Sequence, residues 1–159
     1  MKKIPTLFEW AGDEKTFEVL FTQFYDKVLK DDLLGKVFGD MSPEHVKHVS
    51  HFVSEVFGGG TLYTSKDGGS HSQMIGKHIG KMLTEEMRKR WVHLLLQTAD
   101  EVGLKSDPEF RSAFVGYIEW GTRLAVINSH LTTNLMDTNE PMPKWSWGET
   151  GGPYIPIQS

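Results

Sequence analysis

Apolar residues recur at intervals of three and four along most of the chain, which is the spacing of one face of an α-helix. The first long run is "EKTFEVLFTQFYDKVLK", residues 14–30. Its large apolar and aromatic side chains fall on one face: Phe17, Phe21, Phe24, Tyr25 and Val28. This pattern predicts an amphipathic helix over residues 14–30.

Capping residues divide the remaining pattern into further helices. A short piece ends at Phe38. In the next helix, Ser42 is the expected N-cap, Pro43 takes the first helical position, and the glycines from Gly58 onward end it.

The second half of the chain follows the same rules. Residues 61–73 are rich in Gly, Ser, Lys and Asp and predict a loop, followed by a short helix around His78. Thr84 opens a helix to about Gly103, and Asp107 with Pro108 opens the last one, to about His130. No segment alternates as a strand does. We therefore expect an all-α domain of about six helices over residues 1–130 and an irregular tail over 131–159.

Composition narrows the function classes. The 159 residues are 38% hydrophobic and 24% charged, typical of a soluble globular protein, and the net charge of -4 argues against a nucleic-acid partner. No apolar run is long enough to cross a membrane, and the N-terminus lacks the pattern of a signal peptide, so a cytoplasmic location is expected. The absence of cysteine excludes disulfides, thiolate catalysis and covalent haem attachment.

Three histidines fall on the predicted helix 43–57. The helical angle places His45 within the apolar stripe, one turn before Val49, and His48 at its edge, whereas His51 is expected to face solvent. A zinc site from these histidines is an alternative, although no third ligand is evident.

Four predicted helices each contribute one polar-tipped residue to an otherwise apolar face: Tyr25, His45, His78 and Trp91. His78 is expected to share its face with Met74, Ile75 and Met82. Each of these residues alone is typical of a protein core. Because an unpaired polar group in an apolar interior costs about 1–3 kcal/mol, a flat apolar cofactor with one metal centre accounts for all four together.

With these residues, the sequence resembles the truncated haemoglobins of the second group over roughly residues 5–130. The resemblance rests on "FTQFYDKVLKDDLLGKVF", "FGGG", "LYTS", and "GKH" followed thirteen residues later by the tryptophan of "RKRW". It implies a two-over-two helical sandwich around haem, which without cysteine would be noncovalent haem b.

The resemblance also implies roles for individual residues. His78 would be the proximal iron ligand, with a backbone carbonyl at its Nδ1, and Tyr25 and Trp91 would line the distal pocket. Phe38 would stack on the haem and Lys77 would lie near a propionate. The other expected cofactor contacts are Phe24, His45, Val49, Phe52, Tyr63, Met74 and Met82. The chain departs from the group at Phe38, where a tyrosine is frequent, at His45, where a small or apolar residue is frequent, and at Val49, where leucine is usual.

Three functions are compatible with these residues. The first is binding of O₂ or a related small ligand (CO, NO or peroxide) at a pentacoordinate-type iron, for binding or transport. The second is an enzyme that reduces peroxide or oxidises nitric oxide, with a reductase as partner. The third is a cofactor-free helical interaction module. A monomer or a homodimer is expected, without membrane association. The tail is expected to matter little for haem, with Trp145 and Trp147 covering an apolar patch. The role of His45 is open: it donates to the ligand, gates the pocket, is a second axial ligand, or points to solvent.

Overall fold

The computed structural model describes residues 3–154, and these residues are helical without a strand. Seven α-helices follow one another: α1 (Leu7–Ala11), α2 (Glu14–Lys30), α3 (Gly35–Phe38), α4 (His45–Val56), α5 (His71–Gly76), α6 (Glu85–Glu101) and α7 (Pro108–Ser129). A π-helical turn covers Leu62–Lys66 and a 3₁₀ turn covers Gly148–Thr150. The all-α prediction is confirmed, although α1 was not expected.

Side-chain caps fix where the long helices begin. The Thr84 hydroxyl accepts a hydrogen bond from the Met87 amide at 3.1 Å, and the Asp107 carboxylate accepts one from the Phe110 amide at 3.1 Å. The predicted start of α4 is wrong, because the Ser42 hydroxyl instead accepts from the Glu44 amide at 3.2 Å. Ser42 thus closes a local turn, and the helix begins at His45.

The helices form two packed pairs. Helix α2 packs against α4 and α6, and α6 packs against α7. Phenylalanine rings fill the space between the pairs, and six of them are fully buried: Phe17, Phe21, Phe24, Phe57, Phe110 and Phe114. Because burying one such ring contributes roughly 1.5–3 kcal/mol, this aromatic core is a major source of stability. The arrangement is the expected two-over-two sandwich.

The segment between α4 and α5 is more ordered than a loop prediction implies. The Glu55 carboxylate accepts hydrogen bonds from the backbone amides of Tyr63 and Thr64 at 3.0 and 2.9 Å. The Tyr63 ring lies directly over Gly69, where an added Cβ would be 2.2 Å from the ring carbon Cζ. The segment is therefore fixed at both ends before α5 begins.

The tail is irregular over 131–154 apart from its one 3₁₀ turn, and residues 155–159 lie outside the described part. It nevertheless packs on the helices. The Trp147 indole is buried and donates to the Pro5 carbonyl at 2.8 Å, and the Trp145 amide donates to the Val56 carbonyl at 2.9 Å. Within residues 3–154, no helix combines the length and hydropathy needed to cross a bilayer.

Candidate functional site

A cavity of about 420 Å³ lies between the two helix pairs and is lined largely by apolar side chains. Its size falls in the range of small-molecule and cofactor sites. Nine of the twelve residues expected to contact a cofactor line it: Tyr25, Phe38, His45, Val49, Phe52, Met74, Lys77, His78 and Trp91. The structure therefore brings most of the predicted set into one place.

The other three residues lie elsewhere. Phe24 is fully buried behind the cavity, with its ring 4.8 Å from those of both Tyr25 and Trp91. Tyr63 is buried with its ring edge-on to Phe52 at 5.2 Å. Met82 is 59% exposed.

The common helical face expected for Met74, His78 and Met82 is wrong. Helix α5 ends at Gly76, so His78 lies in the turn that follows. Met82 has a φ of 52°, and its amide donates to the Ser129 carbonyl at 3.1 Å. This turn carries the Met82 side chain out toward solvent.

We call the side of the cavity formed by α5 and the turn after it the proximal wall. It carries His71, Met74, Ile75, Lys77 and His78. The His78 Nδ1 is buried, and the Met74 carbonyl faces the imidazole but lies outside full hydrogen-bond geometry, so the expected backbone carbonyl is present without an ideal hydrogen bond. Burial lowers the pKa of His78, which the Met74 carbonyl opposes and Lys77 and Lys81 reinforce. His78 is thus a neutral imidazole.

His71 is a second imidazole on the proximal wall and was missed at the sequence level. It is 6% exposed, and its Nδ1 also has no hydrogen-bond partner among the described residues. Burial lowers the pKa of His71, while the negative charge of Glu140 opposes that effect. The sequence could have indicated His71, because it lies seven residues before His78, which corresponds to two turns of a helix.

We call the opposite side the distal wall, formed by Tyr25, Phe38, His45 and Val49 with Trp91 beside them. The His45 Nε2 lies 3.2 Å from the Tyr25 hydroxyl. The Phe38 ring is 6.0 Å from the Tyr25 ring. Burial raises the pKa of Tyr25, and a hydrogen bond with the Trp91 side chain partly lowers it. Tyr25 is therefore a neutral phenol with two polar neighbours.

His45 is also neutral. Burial lowers its pKa to about 4, and the positive charges of Lys77 and Lys81 reinforce that effect. A neutral imidazole carries one proton, which can lie on either ring nitrogen. Its Nε2 can therefore donate to the Tyr25 oxygen or accept from the Tyr25 hydroxyl.

The solvent-facing position predicted for His51 is wrong. His51 is 1% exposed, with Nδ1 at 2.7 Å from Asp67 Oδ2 and Nε2 at 2.9 Å from Glu14 Oε1. His45 contacts Tyr25, and the His48 ring faces Tyr63 at 6.3 Å. The three histidines of α4 thus face different surroundings, which is the wrong geometry for a shared zinc ion.

Helix α7 supplies a cavity wall that was not foreseen. Its lining residues recur at helical spacing: Tyr117, Ile118, Trp120, Gly121, Thr122, Leu124, Ala125 and Val126. The buried Arg88 holds α6 to α7, with guanidinium nitrogens 2.6 Å from Glu85 and 3.3 Å from Glu119. The spacing of positions 117, 121 and 124 at i, i+4 and i+7 could have predicted this wall from the sequence.

Comparison with known proteins agrees with this architecture. The model of the bacterial-like globin family matches residues 6–119. The group 2 truncated hemoglobin YjbI of Bacillus subtilis (strain 168) is 28% identical over 116 residues, covering 73% of this chain and 84% of the relative. A group 1 truncated hemoglobin of Tetrahymena thermophila is 30% identical over 105 residues, covering 65% and 82% respectively.

Solved structures show the same likeness. The group II truncated hemoglobin of Bacillus anthracis aligns with a TM-score of 0.70 at 26% identity, covering 79% of this chain and 93% of that one. The truncated oxygen-avid haemoglobin of Bacillus subtilis aligns with a TM-score of 0.67 at 27% identity, covering 77% and 99%. Globins hold haem and bind small gaseous ligands such as O₂. The chain thus belongs to the bacterial-like globin family, and the resemblance to group II truncated haemoglobins predicted from its sequence is confirmed.

Proposed function

We propose that this chain binds haem b noncovalently through His78 Nε2 and holds a small diatomic ligand against the distal wall. The observation that carries the proposal is the neutral His78 imidazole on the wall of an apolar cavity, with the Met74 carbonyl facing it. A carbonyl partner favours the tautomer with the proton on Nδ1, which leaves the Nε2 lone pair free to ligate a metal.

The surroundings of His78 fit this role. Haem would supply an iron centre that His78 would hold and that could bind a small ligand. Only the neutral imidazole has a lone pair to give to iron, and burial with Lys77 and Lys81 keeps the pKa of His78 low. Lys77 lines the same cavity and offers a cation to a haem carboxylate. The absence of cysteine is consistent with noncovalent haem b.

On the distal wall the proposal assigns Tyr25 as the main donor. When the His45 proton lies on Nε2, His45 donates to the Tyr25 oxygen at 3.2 Å, and the Tyr25 hydroxyl is available to donate into the cavity. The Trp91 indole N–H is directed at the Tyr25 side chain, and it becomes a second donor when it exchanges that partner for the ligand. A hydrogen bond to a charged acceptor contributes about 1.5–3 kcal/mol, so each donor slows ligand release by roughly 10- to 100-fold. This arrangement favours tight holding over rapid delivery.

An enzymatic function of the same site is the second candidate. With its pKa lowered to about 4, His45 is neutral and can accept a proton while hydrogen-bonded to Tyr25. A neutral imidazole beside a bound ligand is typical of general acid–base catalysis, as peroxide reduction would need. Turnover would also require an electron donor, such as a reductase. Two measurements distinguish the functions. One is the rate at which the reduced protein consumes peroxide or nitric oxide, and the other is its O₂ dissociation rate.

The direct test is the absorption spectrum of the purified protein and of His78→Ala. The parent should show a haem Soret band, and the variant should lose most of its haem. The matched control is His93→Ala, since His93 is exposed on α6 and does not line the cavity. Unchanged haem content and ferrous spectrum in His78→Ala would refute the ligand assignment. A parent protein that binds no added haem would refute the function itself.

A further inference from the structure

The tail contains a segment that crosses the helices around the cavity. We call residues 131–147 the strap. The family model ends at residue 119, so the strap is not part of what the family match accounts for. Its contacts fall on α5 at one end and on α4 and α7 at the other.

The first contact is made by Asn134. Its amide nitrogen donates to the Ser72 carbonyl at 2.8 Å and lies 3.2 Å from the Ser72 hydroxyl. Its amide oxygen accepts from the Met136 backbone at 3.0 Å, which holds the side chain in this orientation. The same nitrogen would be 3.6 Å from a Cβ added at Gly76. Asn134 thus spans one turn of α5, from Ser72 to Gly76.

Helix α5 depends on such contacts because it is short. It has six residues, and a helix of that length has little stability of its own in water. It carries Met74 and Ile75 of the proximal wall and leads directly into the turn that holds His78. Whatever fixes α5 therefore fixes the start of that turn.

The second contact is made by Trp145. Its amide closes the end of α4 by donating to the Val56 carbonyl at 2.9 Å. Its ring lies 5.7 Å from the Tyr117 ring and 5.8 Å from the Trp120 ring, and both of those residues line the cavity. Trp145 therefore backs the wall formed by α7.

We propose that the strap is a positioning element of the haem site, with Asn134 fixing α5 and thereby His78, and Trp145 supporting the α7 wall. The inference rests on the proposed function of His78. It reverses the expectation from sequence that the tail matters little for haem. Asn134 and Trp145 act through other residues and touch no ligand themselves.

The test compares Asn134→Ala with Asn139→Ala in the haem-loaded protein. Asn139 is an exposed residue of the same strap whose backbone amide bonds within its own turn. In Asn134→Ala we expect amide hydrogen exchange over residues 71–78 to rise by about 3- to 10-fold, the size expected for one lost hydrogen bond. The iron–histidine stretching frequency should shift, and haem transfer to excess apomyoglobin should accelerate by a similar factor. Asn139→Ala should leave all three measurements unchanged.

A tryptophan pair tests the other end of the strap. Trp145→Leu and Trp147→Leu should both lower the melting temperature, since both rings pack on the helices. Only Trp145→Leu should accelerate haem loss, because Trp147 packs instead on Trp10 and Phe110, outside the cavity lining. Equal acceleration in both variants would show general destabilisation and overturn the role of Trp145.

The role of Asn134 would be overturned if Asn134→Ala changed none of the three measurements: amide exchange over residues 71–78, the iron–histidine stretching frequency and the rate of haem loss. A failure of the proposed function would look different, because the unsubstituted protein would then lack a Soret band. Amide exchange over residues 71–78 would still measure whether Asn134 fixes α5 in that case.

Discussion

The proximal and distal walls of the cavity use the same types of side chain in opposite ways. On the distal wall Tyr25 and His45 are 3.2 Å apart and satisfy each other. On the proximal wall the buried Nδ1 atoms of His71 and His78 lack a partner with full hydrogen-bond geometry among the described residues, although the Met74 carbonyl faces His78. A neutral imidazole in an apolar wall keeps an Nε2 lone pair for a metal, whereas a mutually paired set marks groups that can exchange one partner for another.

The largest expected effect comes from removing the His78 imidazole and then supplying free imidazole in its place. His78→Gly should abolish most haem binding, because it removes the proposed axial ligand and leaves space in the wall. Added imidazole should restore haem binding and a ferrous spectrum like that of the parent, measured by absorbance titration. Haem binding by His78→Gly without imidazole would place the iron ligand elsewhere.

The distal wall is expected to respond to two conservative changes. Tyr25→Phe and Trp91→Phe keep an aromatic ring and remove one donor each, so each should raise the O₂ dissociation rate by about 10- to 100-fold. The combined effect should be less than the product, because both donors serve one ligand. Stopped-flow dissociation and the bound-CO stretching frequency measure this. Unchanged values in both single variants would mean that neither side chain contacts the ligand.

A third test uses pH to isolate the contribution of His45 on the distal wall. The pKa of His45 is about 4 in the folded protein, below the roughly 6.5 of an unfolded imidazole. The unfolded chain therefore takes up a proton first as the pH falls, and stability present above pH 6.5 is lost between about 6.5 and 4. In His45→Leu the free energy of unfolding should fall less between pH 6.5 and 4 than in the parent. Denaturant unfolding at a series of pH values measures this. An identical pH dependence in the parent and variant would show that His45 is solvated.

The smallest expected effect concerns the second proximal imidazole. His71→Leu replaces an unpaired polar ring by an apolar side chain in an apolar wall, so the free energy of unfolding should rise by up to about 1 kcal/mol. The haem spectrum should be preserved. Denaturant titration and haem content are the measurements. A loss of haem instead would show that His71, as well as His78, pairs with the cofactor.

Sequence patterns predicted those parts of this molecule that depend on neighbours a few residues apart. The faces of α2 and α6 and the positions of Tyr25, His45 and Trp91 on apolar helix faces follow from helical spacing. They could be predicted because a helix places residues at three- and four-residue intervals on the same face. The caps at Thr84 and Asp107 follow from residue type.

The errors arose where the partner is distant in the chain. His51 is buried because Glu14 and Asp67 meet it from two other segments, and a helical angle contains no information about them. Met82 turns outward because Ser129 accepts its amide hydrogen. Trp145 and Trp147 do cover an apolar patch as expected, but no local periodicity in the tail could identify the distant residues that they contact.

The contact between Gly69 and the Tyr63 ring has a consequence for how this chain can vary. A Cβ at position 69 would lie 2.2 Å from a ring carbon, so every other residue there would have to displace a buried tyrosine. At Gly60 and Gly80 an added Cβ meets nothing within 4 Å, so only the backbone conformation restricts the choice. In a saturation mutagenesis library selected for folded protein, asparagine should be tolerated at those two positions because it adopts a positive φ. Only glycine should be tolerated at position 69.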